Sequence, residues 1–164
     1  MNETYDGFMR GWNALRVPDG WALVEPVVDE VRGRATLASC LPSPLPQRLV
    51  VVTAANPGGI ALDAAENLER HARLIDRVHE LEPFPASSPV VYETVGGAPV
   101  ERDPLTWGHR EDGVALEISR DEAAILAIEF GQLAYYSFEG SHRLLLGAGD
   151  EGVLAAQRYR IHHV

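Results

Sequence analysis

Apolar and polar positions along this chain follow two periods, and they change places several times. Tyr5, Phe8, Trp12 and Leu15 recur at helical spacing, which predicts a helix over residues 3 to 16 with one aromatic face. Val17-Pro18-Asp19-Gly20 reads as a turn. Trp21 to Val28 and Ala35 to Leu41 read as strands. Pro26 confines the first to an edge or a bulge, because proline has no N–H to give to a ladder. Leu41-Pro42-Ser43-Pro44-Leu45-Pro46 is a stiff extended connector, too short to separate two domains.

Leu49 to Ala54 is apolar on both faces and rich in valine, the pattern of a central strand. The run stops at Thr53-Ala54, turns through Asn56-Pro57-Gly58-Gly59, and restarts as a helix from about Asp63 to Leu81. On that helix Leu74, Val78 and Leu81 share one stripe, Asn67 and His71 project onto it, and Glu66 falls well off it. Val90 to Thr94 and Val114 to Ile118 read as strands separated by a Gly-, Pro- and charge-rich loop, residues 95 to 113. Ser119 and Glu122 make a capping box. The helix it opens runs to Phe130, is apolar nearly all round, and is therefore expected to be buried, with Gly131 as its left-handed stop. Leu133 to Phe138 and His142 to Leu146 predict a hairpin around Glu139-Gly140-Ser141. The tail leaves two readings open, a helix from Gly152 to Gln157 or a last strand at Tyr159-Arg160-Ile161. Together these elements predict a single α+β domain over residues 1–164, with a mixed or mainly antiparallel sheet packed by two or three helices.

Composition narrows the function classes. The chain has 164 residues, 46% of them apolar and 23% charged, ordinary for a globular domain with a real core. A net charge of −10 argues against nonspecific binding to nucleic acid or to an anionic membrane, both of which need a basic surface. All 14 basic residues are arginine, a bias that codon usage explains without any function. Cys40 is the one cysteine and has no internal disulfide partner. With no leader-like segment and no long apolar span, the expected compartment is the cytoplasm.

Chemistry-bearing residues gather around the strand–loop–helix unit. Asn56 precedes a proline, which predicts an extended backbone there, and its side chain either caps the corner or, with the Gly58 and Gly59 amides, binds an anionic or amide-bearing group. The run is not a phosphate loop, because no Gly-Lys-Ser/Thr follows. Glu66 either completes an acidic capping box with Asp63 or serves as a second carboxylate. Asn67, an amide on the inward stripe, must find partners: it either pins the Asn56 loop from behind or faces a pocket. Glu111 ends the polar loop. It is either solvated or, with Trp107 as an apolar wall, a carboxyl of raised pKa that acts as general acid or base. Gln132 satisfies a neighbouring chain or bonds a substrate.

Other chemistries lack a pattern. His162 and His163 are adjacent and diverge on an extended tail, His109 and Glu111 stand two apart in a loop, and His71 reads as a satisfied core imidazole. No His-x-x-x-His, Cys-x-x-Cys or Gly-x-Ser-x-Gly occurs, so neither a metal site, nor a cofactor, nor a nucleophile elbow is expected.

Thr53-Ala54-x-Asn56-Pro57-x-Gly59, Glu66-Asn67, Trp107 and Glu111, and Phe130-Gly131-Gln132-x-Ala134 follow one another in an order that resembles an uncharacterised bacterial family, domain of unknown function 3293. The similarity covers roughly residues 45 to 140. It leaves 1–44 as an N-terminal helix with edge strands and 141–164 as a hairpin strand and tail. The chain departs from the family pattern at Ala55, where an aromatic residue is usual, and at Asp112-Gly113, where Pro-Ser is usual. The resemblance implies a map of site residues and no mechanism. The expected function is a site for a small polar metabolite, worked by acid–base chemistry. Glu111 and Glu66 would be its carboxylates, with Asn56, Gly58, Gly59, Asn67, Trp107 and Gln132 around the substrate. The alternative is a non-catalytic binding or regulatory module with an acidic surface. Pocket geometry separates the two.

Overall fold

Strand Arg48–Thr53 shows how the chain is built. Its side chains alternate between two apolar environments. Leu49 and Val51 face one core, and Val50 and Val52 face another. Both faces of the strand are thus covered, which explains its unbroken valine run. The computed structural model describes residues 8–27, 40–41, 48–81, 91–149 and 151–164.

Eight strands form a closed barrel. They are β1 (Trp12–Val17), β2 (Gly20–Val27), β3 (Arg48–Thr53), β4 (Tyr92–Ala98), β5 (Gly108–Leu116), β6 (Ala134–Glu139), β7 (His142–Gly147) and β8 (Val153–His163). Around the barrel the order is β1-β2-β8-β7-β6-β3-β5-β4, closing on β1, and every neighbouring pair is antiparallel. Two helices, α1 (Ala64–His79) and α2 (Arg120–Glu129), lie on the outer face of β3, β5 and β6.

The α+β expectation is therefore corrected to a mainly β fold. Strand patterns reveal ladders but not closure, because a strand's two neighbours lie elsewhere in the sequence. Closure also removes sheet edges altogether. Pro26 is nonetheless paired on one side only, opposite Tyr159 of β8, because the β1 ladder ends at Val24, so the proline keeps the locally open side that its missing N–H requires.

Three packed regions fill the molecule. The barrel interior holds Leu15, Ala22, Val24, Leu49, Ala115 and Phe138. Outside, Leu74 and Val78 of α1 and Ala123, Leu126 and Ala127 of α2 press on Val50, Val52, Val114 and Leu116. On the opposite outer side, Trp107 covers Ala14, Trp21, Leu23 and Val95. Each buried Leu or Val contributes about 1.5–3 kcal/mol relative to exposure.

Several boundaries differ from the sequence reading. The aromatic spacing that predicted a helix over 3 to 16 belongs in part to β1. Trp12 and Ala14 face outward and Asn13 and Leu15 inward, so both faces are covered and the period does not discriminate. Among the described residues of that range, 8–10 are helical and Trp12 onward is strand, while residues 3–7 lie outside those described. The expected strand Ala35 to Leu41 also falls largely outside them. The expected loop 95–113 is mostly strand, with β4 running to Ala98 and β5 starting at Gly108. Glycine and charge read as loop there, whereas Gly113 is a site of close packing in the barrel. A Cβ on Gly113 would meet the Val52 carbonyl oxygen at 2.8 Å and the Thr94 hydroxyl at 2.9 Å. The tail is an 11-residue strand, β8, which resolves its two readings. α2 is not buried all round: Ile125 and Ile128 are 58% and 59% exposed. No helix among the described residues is long and apolar enough to cross a membrane.

Candidate functional site

Inside the barrel, beside Thr53, Thr94 and Gly113, is a cavity of about 460 Å3. Its walls come from β1, β3, β4, β5 and β6 and from the segment before β1, and they are mainly apolar, with Val51, Ala134 and Tyr136 prominent. Glu111 is the carboxylate that lines it. Alternation along β5 puts Glu111, Gly113 and Ala115 on the inner face, while Val114 and Leu116 turn to the helices.

Glu111 is held through one oxygen. Asn56 Nδ2 donates to Glu111 Oε1 at 2.8 Å, and Oε2 has no hydrogen-bond partner among the described residues. Burial raises the Glu111 pKa above 4.5, opposed by the Asn56 hydrogen bond and by attraction to His109, both of which lower it. A carboxyl in this setting exchanges a proton nearer neutrality than a solvated one.

The groups behind Glu111 explain its position. Asn56 is not extended, as the following proline predicts, but left-handed, φ 48° and ψ 59°, a conformation that asparagine tolerates better than most residues. Its backbone N–H donates to Asn67 Oδ1 at 3.0 Å, and Asn67 Nδ2 donates back to Asn56 Oδ1 at 3.0 Å. The same Asn56 oxygen accepts from the Leu62 N–H at 3.0 Å, so the amide's orientation is set and its Nδ2 is aimed at Glu111. Gln132 Nε2 donates to the Ala55 carbonyl at 2.8 Å, and the Arg70 guanidinium bridges the Ala54 and Phe130 carbonyls. Thr53 donates to the Asp112 carbonyl at 2.8 Å, tying the loop's origin to β5 beside Glu111.

The residues read from sequence thus separate into three groups. Glu111 lines the cavity. Asn56, Asn67 and Gln132 stand behind it as a scaffold. Glu66, Gly58, Gly59 and Trp107 lie elsewhere. Glu66 is exposed and completes the Asp63 capping box at the start of α1. Gly58 donates its N–H to the Gly131 carbonyl at 2.7 Å, and Gly58 and Gly59 have positive φ with open space where a Cβ would be. Trp107 packs on the barrel's outer face, its indole N–H donating to the Glu101 carbonyl at 2.9 Å. His71 packs with its Nδ1 buried and unpartnered among the described residues, not as a satisfied imidazole.

Other groups in and beside the cavity were not singled out from sequence. Thr94, Asn13 and His109 line it, the last at φ 50°, a conformation rare for a residue with a side chain. Tyr136 lines it too, and burial pushes its phenol up to about 12, with the Arg143 charge opposing and the Glu111 charge adding. Arg143 of β7 lies under Tyr136, 4.8 Å from the ring centroid, and is 1% exposed. The one sequence signal for it was an arginine in an otherwise leucine-rich strand. Among the described residues no three His, Cys, Asp or Glu side chains come together as a metal site.

Comparison with curated proteins found no match, and neither did comparison with solved structures. Residues 52–135 do match a family, and they span the whole Glu111 scaffold from the end of β3 to the start of β6. The chain belongs to the family described as "Protein of unknown function (DUF3293)".

Proposed function

We propose that this protein binds a compact small molecule in the barrel cavity, with Glu111 as the polar anchor. The observation that carries this reading is a single carboxylate, oriented by Asn56 and with one unpartnered oxygen, facing a concave and mainly apolar space. The ligand is amphipathic: an apolar or aromatic body against Val51, Ala134 and Tyr136, and a hydrogen-bonding group against Glu111. This differs from a wholly polar metabolite, whose groups would find few partners on these walls. A concave site also favours a small molecule over a protein partner meeting an acidic surface. The single cysteine is in keeping with work in the cytoplasm.

A thermal-shift screen of cell metabolites and aromatic small molecules tests the reading. A ligand at about 100 times its Kd stabilises by about 2.7 kcal/mol. Hits should lose that shift in Glu111→Gln if the carboxylate anchors them. If no compound stabilises the parent, or if the variant responds like the parent to every hit, the reading is wrong.

The raised Glu111 pKa favours a second reading, in which the bound molecule exchanges a proton with this carboxyl. With a substrate in hand, Glu111→Gln would then lower turnover by roughly 10² to 10⁴ fold while the ligand still binds.

A further inference from the structure

The cavity has a roof that does not belong to the barrel wall. Phe8, Arg10 and Gly11 line it from the segment that precedes β1. Side chains reaching up from the barrel interior bond to this segment. Arg143 donates through Nη1 to the Gly11 carbonyl at 2.6 Å and through Nη2 to the Met9 carbonyl at 2.9 Å. Tyr136 donates its hydroxyl to the Phe8 carbonyl, and the Phe8 ring meets the Tyr136 ring edge-on at 6.5 Å. Asn13 Oδ1 and Gln157 Oε1 take further Arg143 donors at 2.8 and 2.7 Å.

This is an unusual use of arginine. A guanidinium this deeply buried ordinarily faces a carboxylate, because a lone buried charge is costly. No ion pair among the described residues involves Arg143, whose donors meet carbonyl and amide oxygens instead, three of them, on Phe8, Met9 and Gly11, in the roof. Lifting the roof therefore breaks several charge-assisted bonds at once, so the arrangement in which Phe8, Arg10 and Gly11 line the cavity is held.

We propose that residues 8–11 form a strap over the ligand cavity, latched from beneath by Arg143 and Tyr136, and that a ligand reaches Glu111 when this latch is released. The inference rests on the reading of the cavity as a ligand site, but the test needs no ligand. A thiol is placed in the cavity by Thr94→Cys and, separately, deeper in the barrel by Val24→Cys, both on a Cys40→Ala background. Its rate of reaction with a small maleimide reports opening. Thr94 lines the cavity and is 2% exposed, whereas Val24 is wholly buried and does not line it.

Adding Tyr136→Phe removes the hydroxyl donor to Phe8 and keeps the ring. It should speed labelling at position 94 by roughly two- to tenfold, the effect of one hydrogen bond on an opening equilibrium. Phe8→Ala should act in the same direction, and neither should speed labelling at position 24. Unchanged rates at position 94 would overturn the strap, and so would equal acceleration at both positions, which reports global unfolding. A failed metabolite screen alongside selective acceleration at position 94 would sink the ligand and leave the strap standing.

Discussion

Asn56 is the residue on which the site turns. Asparagine's tolerance of positive φ, against the extended backbone that the following proline favours, and a reciprocal pair of hydrogen bonds with Asn67 combine to aim one amide at Glu111. Asn67→Ala should destabilise the protein by about 1–3 kcal/mol in urea titration, because Asn56 loses a partner on both its N–H and its side-chain oxygen. Asn56→Ala removes a hydrogen bond that lowers the Glu111 pKa. The carboxyl should therefore titrate higher than in the parent, as followed by carboxyl-carbon NMR. Linkage fixes a second sign. The folded Glu111 pKa lies above its unfolded value, so the protonated carboxyl is the form that folding favours. Parent stability relative to Glu111→Gln should be greatest below about pH 4.5 and fall as pH rises through the folded pKa. Melting temperatures of both proteins between pH 4 and 8 check this, and a constant difference would contradict the desolvated carboxyl. That Asn67 needed a partner was legible from its place on the inward stripe. That Glu111 faces a barrel interior was not, because its strand read as a loop.

At the scale of elements, the helices followed local rules closely. Both capping boxes form, Asp63 with Glu66 and Ser119 with Glu122, since caps depend on residues three apart and on nothing distant. The exposure of α2 did depend on something distant, namely which side the barrel lies on. Leu126→Ala should cost about 2–5 kcal/mol, whereas Ile128→Glu on the open side should change stability by less than about 0.5 kcal/mol. Glu139, at the tip of the β6–β7 hairpin, ties α2 and β3 to the barrel. Burial works to raise its pKa, but hydrogen bonds from Arg120, Ser137 and Arg48 outweigh this and lower it to about 2. Its stabilising contribution is present above about pH 4.5 and disappears as pH falls toward 2. Because the cluster is partly solvated, Glu139→Gln should cost only about 1 kcal/mol at pH 7, and parent and variant should converge in acid.

For the whole molecule, closure is the decisive event. β8 pairs with β2 on one side and β7 on the other, so the end of the chain completes a sheet begun near its start. Removing residues 153–164 would expose two unpaired ladders at once. The truncated chain should aggregate or lose its near-ultraviolet dichroism instead of forming a seven-stranded barrel. A monomeric, cooperatively melting truncation would show that closure is dispensable. Long-range pairings of this kind also predict slow folding, on the millisecond-to-second scale in stopped-flow fluorescence of the three tryptophans.

What the sequence by itself determined was local. The valine-rich strand before Asn56, the two capped helices, the β6–β7 hairpin and the family to which residues 52–135 belong all rest on neighbours in the chain. Tertiary structure alone decided that the sheet closes, that Glu111 and Tyr136 share its interior, and that Arg143 reaches residues 9–11 from the far end of the sequence. The physical reason is that a strand's pattern records whether each face is apolar, and does not record which partner covers it. In a barrel wrapped by helices both faces are covered, so alternation no longer separates inside from outside. The groups that meet in the cavity come from five strands whose adjacency is a property of closure.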